Sequence, residues 1–244
     1  MELHVAFLPE EAGDVRRRVA VVVDVLRATT SILTLLERGC AEVLIARDVA
    51  TVRRYAERAG AGRVRTAGEE GGLAPAGFDF GNSPAAFARA EVEGLRIVMA
   101  TTNGTRALLA VRAAPLVFAA CLRNRAAAAR AAAGAAVERG LDLTVVCSGR
   151  EGRFSLDDAY TAGAIADAVI ADVAGREPCT LTDAVLAARA LYDAWPDAAA
   201  LFRQTAAGRN TLAIGLEEDL RYCVMRDCSE LVPRVGDGVT LLET

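Results

Sequence analysis

Repeated strand–loop–helix units, near-continuous apolar strands and a large apolar fraction predict a layered α/β/α fold with a mostly parallel or mixed central sheet. Hydrophobic residues fill 53% of the 244 positions, so a sizeable core can be buried. The strands read as short β-branched runs without polar alternation, as expected where helices cover both faces of a sheet. The length suits one α/β domain over residues 1–244, with a weak lobe boundary near 175–178.

The first element is VAVVVDVL, 19–26, a strand buried on both faces. A helix over TTSILTLLERG follows, with Thr29 or Thr30 at its start and Gly39 at its end. EVLIA (42–46) is a second strand, and Asp48 caps a helix running to Gly60. A short strand at 63–67 leads into the least regular stretch, GEEGGLAPAGFDFGNSP. Alternation resumes with strands LRIVMA (95–100), LVFAA (116–120) and LTVVC (143–147), each followed by a helix. The last of these helices spans 155–173, and 178–226 reads as mainly helical. LVPRVGDGVTLLE predicts two short strands around a Gly-Asp-Gly turn.

Several function classes are disfavoured by composition. A net charge of −4 without a basic run argues against broad nucleic-acid binding. No apolar stretch has the length of a membrane span, and the N-terminal residues lack a secretory pattern, so a cytoplasmic location is expected. The six cysteines are scattered without C-x-x-C spacing, which favours buried thiols over disulfides or zinc ligands. There is no lysine, and His4 is the only histidine. Acid–base or nucleophilic work therefore falls to carboxylates, hydroxyls or a cysteine, and oxyanion recognition to arginine forks. Nothing forbids a homo-oligomer.

Four segments at strand ends carry the chemistry, where ligands of open α/β sheets gather. The first is DVLRATT: Asp24 ends an apolar strand and needs a cation or ion-pair partner, and Arg27 with the hydroxyls of Thr29 and Thr30 could hold a substrate oxyanion beside it. An Asp24–Arg27 pair that only stabilises the turn is the structural alternative. The second is GEEGG with FDFGNSP, where Glu69, Glu70 and Asp79 are candidate ligands for a hard cation such as Mg²⁺. Asn82 and Ser83 could meet substrate, although a residue before Pro84 also suits a helix cap. The third is TTNGTR, where Thr102, Asn103, Gly104, Thr105 and Arg106 could present N–H groups and charge to phosphate; a plain capping turn looks the same. Asn124, at the next strand end, is a further substrate-binding candidate.

The fourth segment is CSGREGRFSLDD. It offers Ser148, Gly149, Glu151, Arg153, Ser155, Asp157 and Asp158, the two aspartates also being suited to a helix N-terminus. Cys147 and Arg153 have the C-x₅-R spacing of cysteine phosphatases, where a low-pKa thiolate attacks phosphorus. Cys228 and Arg234 share that spacing where no phosphate loop is expected, so it is a weak signal.

Taken in order, VVVDVLRATTSI, GEEGG…GFDFGNSP, ATTNGTRAL and VCSGREGRFSLDDAYTAG resemble the 2-phosphosulfolactate phosphatase family over residues 19–165. The C-terminal third matches less distinctively, and CLRNRAAA departs from the expected form, leaving Arg123 and Arg125 without an implied role. The resemblance implies Mg²⁺-dependent hydrolysis of 2-phospho-3-sulfolactate to 3-sulfolactate and phosphate, a step of coenzyme M biosynthesis where that cofactor is made. On this reading Asp24, Glu69, Asp79 and Asp157 are metal ligands, and Asp24, Arg27, Glu151 and Arg153 are catalytic. The N–H groups at Gly104 and Gly149 would hold phosphoryl oxygens. Attack by water and an aspartyl-phosphate on Asp24 both remain open. The alternatives are a phosphatase for another phosphorylated hydroxy acid using Cys147, or a non-catalytic binder of an anionic metabolite. The latter would not need acids in an anion pocket.

Overall fold

The computed structural model describes residues 1–60 and 62–242. Among the described residues ten strands form one sheet: β1 (Glu2–Ala6), β2 (Arg18–Val23), β3 (Glu42–Ile45), β4 (Arg65–Gly68), β5 (Arg96–Ala100), β6 (Leu116–Ala120), β7 (Asp142–Cys147), β8 (Thr180–Leu181), β9 (Arg234–Val235) and β10 (Gly238–Leu241). The helices are α1 (Ala28–Glu37), α2 (Val49–Ala59), α3 (Pro84–Phe87), α4 (Gly104–Ala110) and α5 (Arg125–Arg139). They continue as α6 (Leu156–Val173), α7 (Asp183–Ala194), α8 (Ala198–Phe202), α9 (Ala206–Ala213) and α10 (Glu217–Cys223). No described helix is long and apolar enough to cross a membrane.

The strand order is β4-β5-β3-β10-β9-β6-β2-β7-β1-β8. Two parallel blocks, β4-β5-β3-β10 and β6-β2-β7-β1-β8, meet through β9, which pairs antiparallel with β6 at Phe118–Arg234. The layered α/β class is therefore observed. The last two strands differ from the expected hairpin: β9 and β10 lie side by side in parallel and fill the seam between the blocks. Two strands have no strong local signature, β1 and β8. They form the far edge, where Leu3 pairs with Leu143 and Leu181.

Burial on both faces explains the unbroken apolar reading of β2. Val19, Val21 and Val23 face Ala128 and Ala132 of α5 and Ile165 and Val169 of α6. Ala20 and Val22 face the other layer, with Ile32 and Leu35 of α1 and Leu108 of α4. The alanine-rich α5 lies close to the sheet because its inner face has no bulk, and Gly140 ends it in the left-handed conformation. Asp48 caps α2 as its sequence predicts, accepting from Thr51 N at 2.7 Å.

Close helix contact also has a local cause at Gly163, where a Cβ would run into the Ala188 carbonyl of α7. Gly163→Val is expected to destabilise the fold by about 2–3 kcal/mol through overpacking. Gly134→Ala, on a face of α5 with nothing within 4 Å of the added carbon, should stabilise it. The gain for a helix-interior glycine is about 0.5–1 kcal/mol. Urea midpoints at constant slope check both.

Candidate active site

The chain turns sharply at the carboxyl end of β2, and the turn is closed by hydroxyls. Thr29 Oγ1 donates to Asp24 O at 2.9 Å and accepts from Asp24 N at 3.1 Å, while Thr30 Oγ1 donates to Val25 O. Both threonines are fully buried. They shape the turn and do not line the cavity beside it, which corrects their expected contact with substrate. Asp24, 6% exposed, accepts from Ala28 N at 3.2 Å. Arg27, 5% exposed, donates to Asp219 Oδ2 at 2.8 Å and to Gly72 O at 2.6 Å. Asp219 Oδ1 accepts in turn from Ser83 Oγ at 2.6 Å and Ala85 N at 3.1 Å. Arg27 therefore pairs with a carboxylate of α10, not with Asp24.

The opposite wall comes from the other block. Glu69, just after β4, accepts from Gly72 N at 2.8 Å and Thr102 N at 2.7 Å, which joins the glycine-rich loop to the end of β5. Gly104 opens α4 against β2: a Cβ there would lie 2.6 Å from Asp24 Oδ2. Only glycine allows this approach. Asn103 Oδ1 accepts from Glu151 N at 2.9 Å and fixes the loop after β7. Together these groups enclose a cavity of about 120 Å³, lined by Asp24, Leu26, Arg27, Glu69, Gly71, Gly72, Thr102, Asn103, Arg150 and Glu151. Ala207, Asn210 and Thr211 of α9 complete it. Four larger grooves, of about 330 to 1020 Å³ and including those along α2 and α4, have no buried carboxylate in their walls.

Beneath the cavity lies an unusual concentration of buried acid. Asp157 and Asp158 occupy the first turn of α6 and are each 2% exposed. Asp158 accepts from Val25 N, Ser148 Oγ and Gly149 N at 3.0, 2.9 and 3.2 Å. Asp157 accepts from Ser155 Oγ at 2.9 Å. Burial pushes the Asp24 carboxyl up to about 6, with the charges of Glu69 and Asp157 adding to the rise. Burial also raises Asp157, and raises Asp158 well above the carboxylate range with Asp157 and Asp24 contributing.

Other expected residues lie elsewhere or do other work. Asp79 ties its loop to β4 through Thr66 and Arg65, outside the cavity and away from any metal position there. Arg106 is exposed and lines the groove along α4. Arg153 is exposed and closes a turn through paired backbone bonds with Arg150, so Arg150 lines the cavity in its place. Thr105 bonds back to Thr101, and Asn124 joins Cys121 N to Leu231 O. Asn82 is buried at the start of α3, where Ser83 Oγ caps Ala86 N. Ser148, Gly149 and Ser155 serve the aspartates, so the Gly149 N–H is not available to a phosphoryl oxygen. Among the described residues the N–H groups of Asn103 and Gly104 have no acceptor in the chain. Cys147 is fully buried, and burial together with Asp158 and Asp157 pushes its thiol well above the ordinary value. A thiolate nucleophile is disfavoured there.

Asp219, Asn210, Thr211 and Arg150 complete the site. The first three come from the C-terminal helices, where no local motif marks them.

The donor set fits a hard divalent cation. Asp24 and Glu69 both line the cavity, and the charge of Glu69 adds to the rise at the buried Asp24 carboxyl, which has no positive partner among the described residues. Among the described residues, the metal-ligating side chains that converge within 4.8 Å are instead Glu2, His4 and Asp142, outside the cavity. One or two protein carboxylates with waters and ligand oxygens is the coordination Mg²⁺ prefers.

A family model described as 2-phosphosulpholactate phosphatase matches residues 6–238. A Thermosynechococcus vestitus protein named Probable 2-phosphosulfolactate phosphatase is 38% identical over 242 residues, 96% of each chain. Proteins of the same name from Deinococcus radiodurans and Synechocystis are 38% and 39% identical. They cover 98% of this chain and 95% and 98% of their own lengths.

The raised carboxyl of Asp24 has a signed effect on stability. Its folded value of about 6 exceeds the ordinary 3.8, so the folded state holds this proton between those limits and the unfolded state does not. Without metal, stability from this group is present below pH 3.8 and is lost as pH rises to about 6. Asp24→Asn removes that loss. In EDTA, the variant should gain on the wild type across this interval, by up to about 3 kcal/mol, and hold the gain at higher pH. Urea unfolding of both proteins across pH checks it.

Proposed function

This chain belongs to the 2-phosphosulpholactate phosphatase family, and we propose that it hydrolyses 2-phospho-3-sulfolactate to 3-sulfolactate and phosphate with Mg²⁺ bound at Asp24 and Glu69. The observation that carries this reading is the cavity where Asp24, Glu69 and Arg27 meet above buried Asp157 and Asp158. A pocket made only to bind an anion would be weakened by that negative charge. The bound cation would supply charge neutralisation for the phosphoryl oxygens.

The chain's own groups perform the remaining work. Arg27, held by Asp219 and Gly72 O, orients a phosphoryl oxygen without swinging free. The N–H groups of Asn103 and Gly104, at the start of α4 beside Asp24, have no acceptor among the described residues and can donate to the phosphoryl group. Asn210 and Thr211 close the side toward α9 and limit entry of bulk water. In the reaction a water oxygen bonds to phosphorus, the bond from phosphorus to the C2 oxygen breaks, and a proton passes to that oxygen.

Phosphate release from 2-phosphosulfolactate by purified protein is expected with Mg²⁺ and is expected to stop in EDTA. Absence of release with Mg²⁺ present would refute the proposal. Asp24→Asn should lower kcat/KM by at least about 100-fold, the scale of losing a charge-stabilising group. Cys147→Ser should leave turnover near wild type, and its loss with the fold intact would restore a cysteine mechanism.

A further inference from the structure

Two guanidiniums line the cavity among the described residues, and their commitments differ. Arg27 lies 2.8 Å from the fully buried Asp219 carboxylate and also donates to Gly72 O. A guanidinium so neutralised orients a ligand but adds little net positive charge. Arg150 has Glu151 as its ion-pair partner, at 3.9 Å, with side chains 32% and 70% exposed. Such a contact is weak and is readily exchanged for a better anion.

The position of Arg150 is nevertheless fixed. Its N–H donates to Arg153 O at 2.8 Å and its carbonyl accepts from Arg153 N at 2.9 Å. The next residue, Glu151, is anchored to Asn103 Oδ1 at the start of α4. Arg150 thus stands on a tight turn between β7 and the α4 entry, on the cavity wall, and its charge is felt by buried Asp157. A phosphomonoester with a further oxyanion brings more negative charge than one cation can balance. Arg150 is the cavity-lining group with a planar fork available for that second anion.

We propose that Arg150 is the specificity-determining residue that pairs with the second anionic group of the substrate, a carboxylate or sulfonate. This deepens the phosphatase reading and rests on it for the identity of the substrate. A binding measurement keeps the two separable. Calorimetric titration with 3-sulfolactate and with inorganic phosphate, both in the presence of Mg²⁺, compares wild type with Arg150→Gln, Arg150→Lys and Arg153→Gln.

Arg150→Gln should weaken sulfolactate about 30-fold, the scale of one charge-assisted contact, and phosphate by no more than about threefold. Arg150→Lys should recover part of the sulfolactate affinity, and Arg153→Gln should change neither. Unchanged sulfolactate binding in Arg150→Gln, equal weakening of both anions, or no sulfolactate binding by the wild type would overturn the assignment. Lack of phosphate release by a wild type that binds sulfolactate through Arg150 would instead remove the phosphatase reading alone.

Discussion

The buried pair between Arg27 and Asp219 holds the site together. It joins the turn after β2 to α10, and the same two side chains reach Gly72, Ser83 and Ala85. Four stretches far apart in sequence are thus fixed by one cation and one anion. A buried ion pair adds little net stability against an apolar packing of the same volume, but removal of either partner leaves a charge stranded. Its contribution is better described as registry. It sets where the glycine-rich loop, α3 and the C-terminal helices stand relative to Asp24. The cavity exists because those segments cannot drift.

That arrangement works against the local electrostatics. Asp24, Asp157 and Asp158 are all buried, which raises each carboxyl, and at Asp24 and Asp158 repulsion from neighbouring acids adds to the desolvation. Hydrogen bonds from Val25 N, Ser148 and Gly149 offset part of the cost at Asp158, and Ser155 does so at Asp157. At Asp24 the compensation is thinner, a single long bond from Ala28 N. Asp24 is therefore the acid best placed to gain from a cation. The absent side chain at Gly104 keeps its outer oxygen reachable.

Much of this was legible along the chain, for a physical reason. A charged residue at the end of an apolar strand must find a partner, and a loop dense in glycine and hydroxyls is a costly way merely to connect two elements. Those rules single out Asp24, Arg27, Glu69, Asn103, Gly104 and Glu151, and all six line the cavity or touch Asp24. The same rules fail to separate ligand-facing hydroxyls from structural ones. Thr29, Thr30 and Thr105 sit in equally suggestive motifs, yet their oxygens close turns. Arg153 and Arg150 are likewise indistinguishable until the turn through Glu151, at φ 52°, and Gly152, at φ 71°, decides which one reaches the cavity.

By itself the sequence determined the layered α/β class, the strands buried on both faces and the strand-end loops that hold the acids, because these follow from apolar runs and local turn chemistry. Tertiary structure decided the partner of Arg27, the contribution of α9 and α10, the place of β1 and β8, and the parallel seating of β9 beside β10. Each of these depends on contacts between residues distant in the chain. Asp219 shows the difference most clearly. In the sequence it is one acid among three in the first turn of a surface-like helix, and only the packing of α10 against α3 brings it to Arg27.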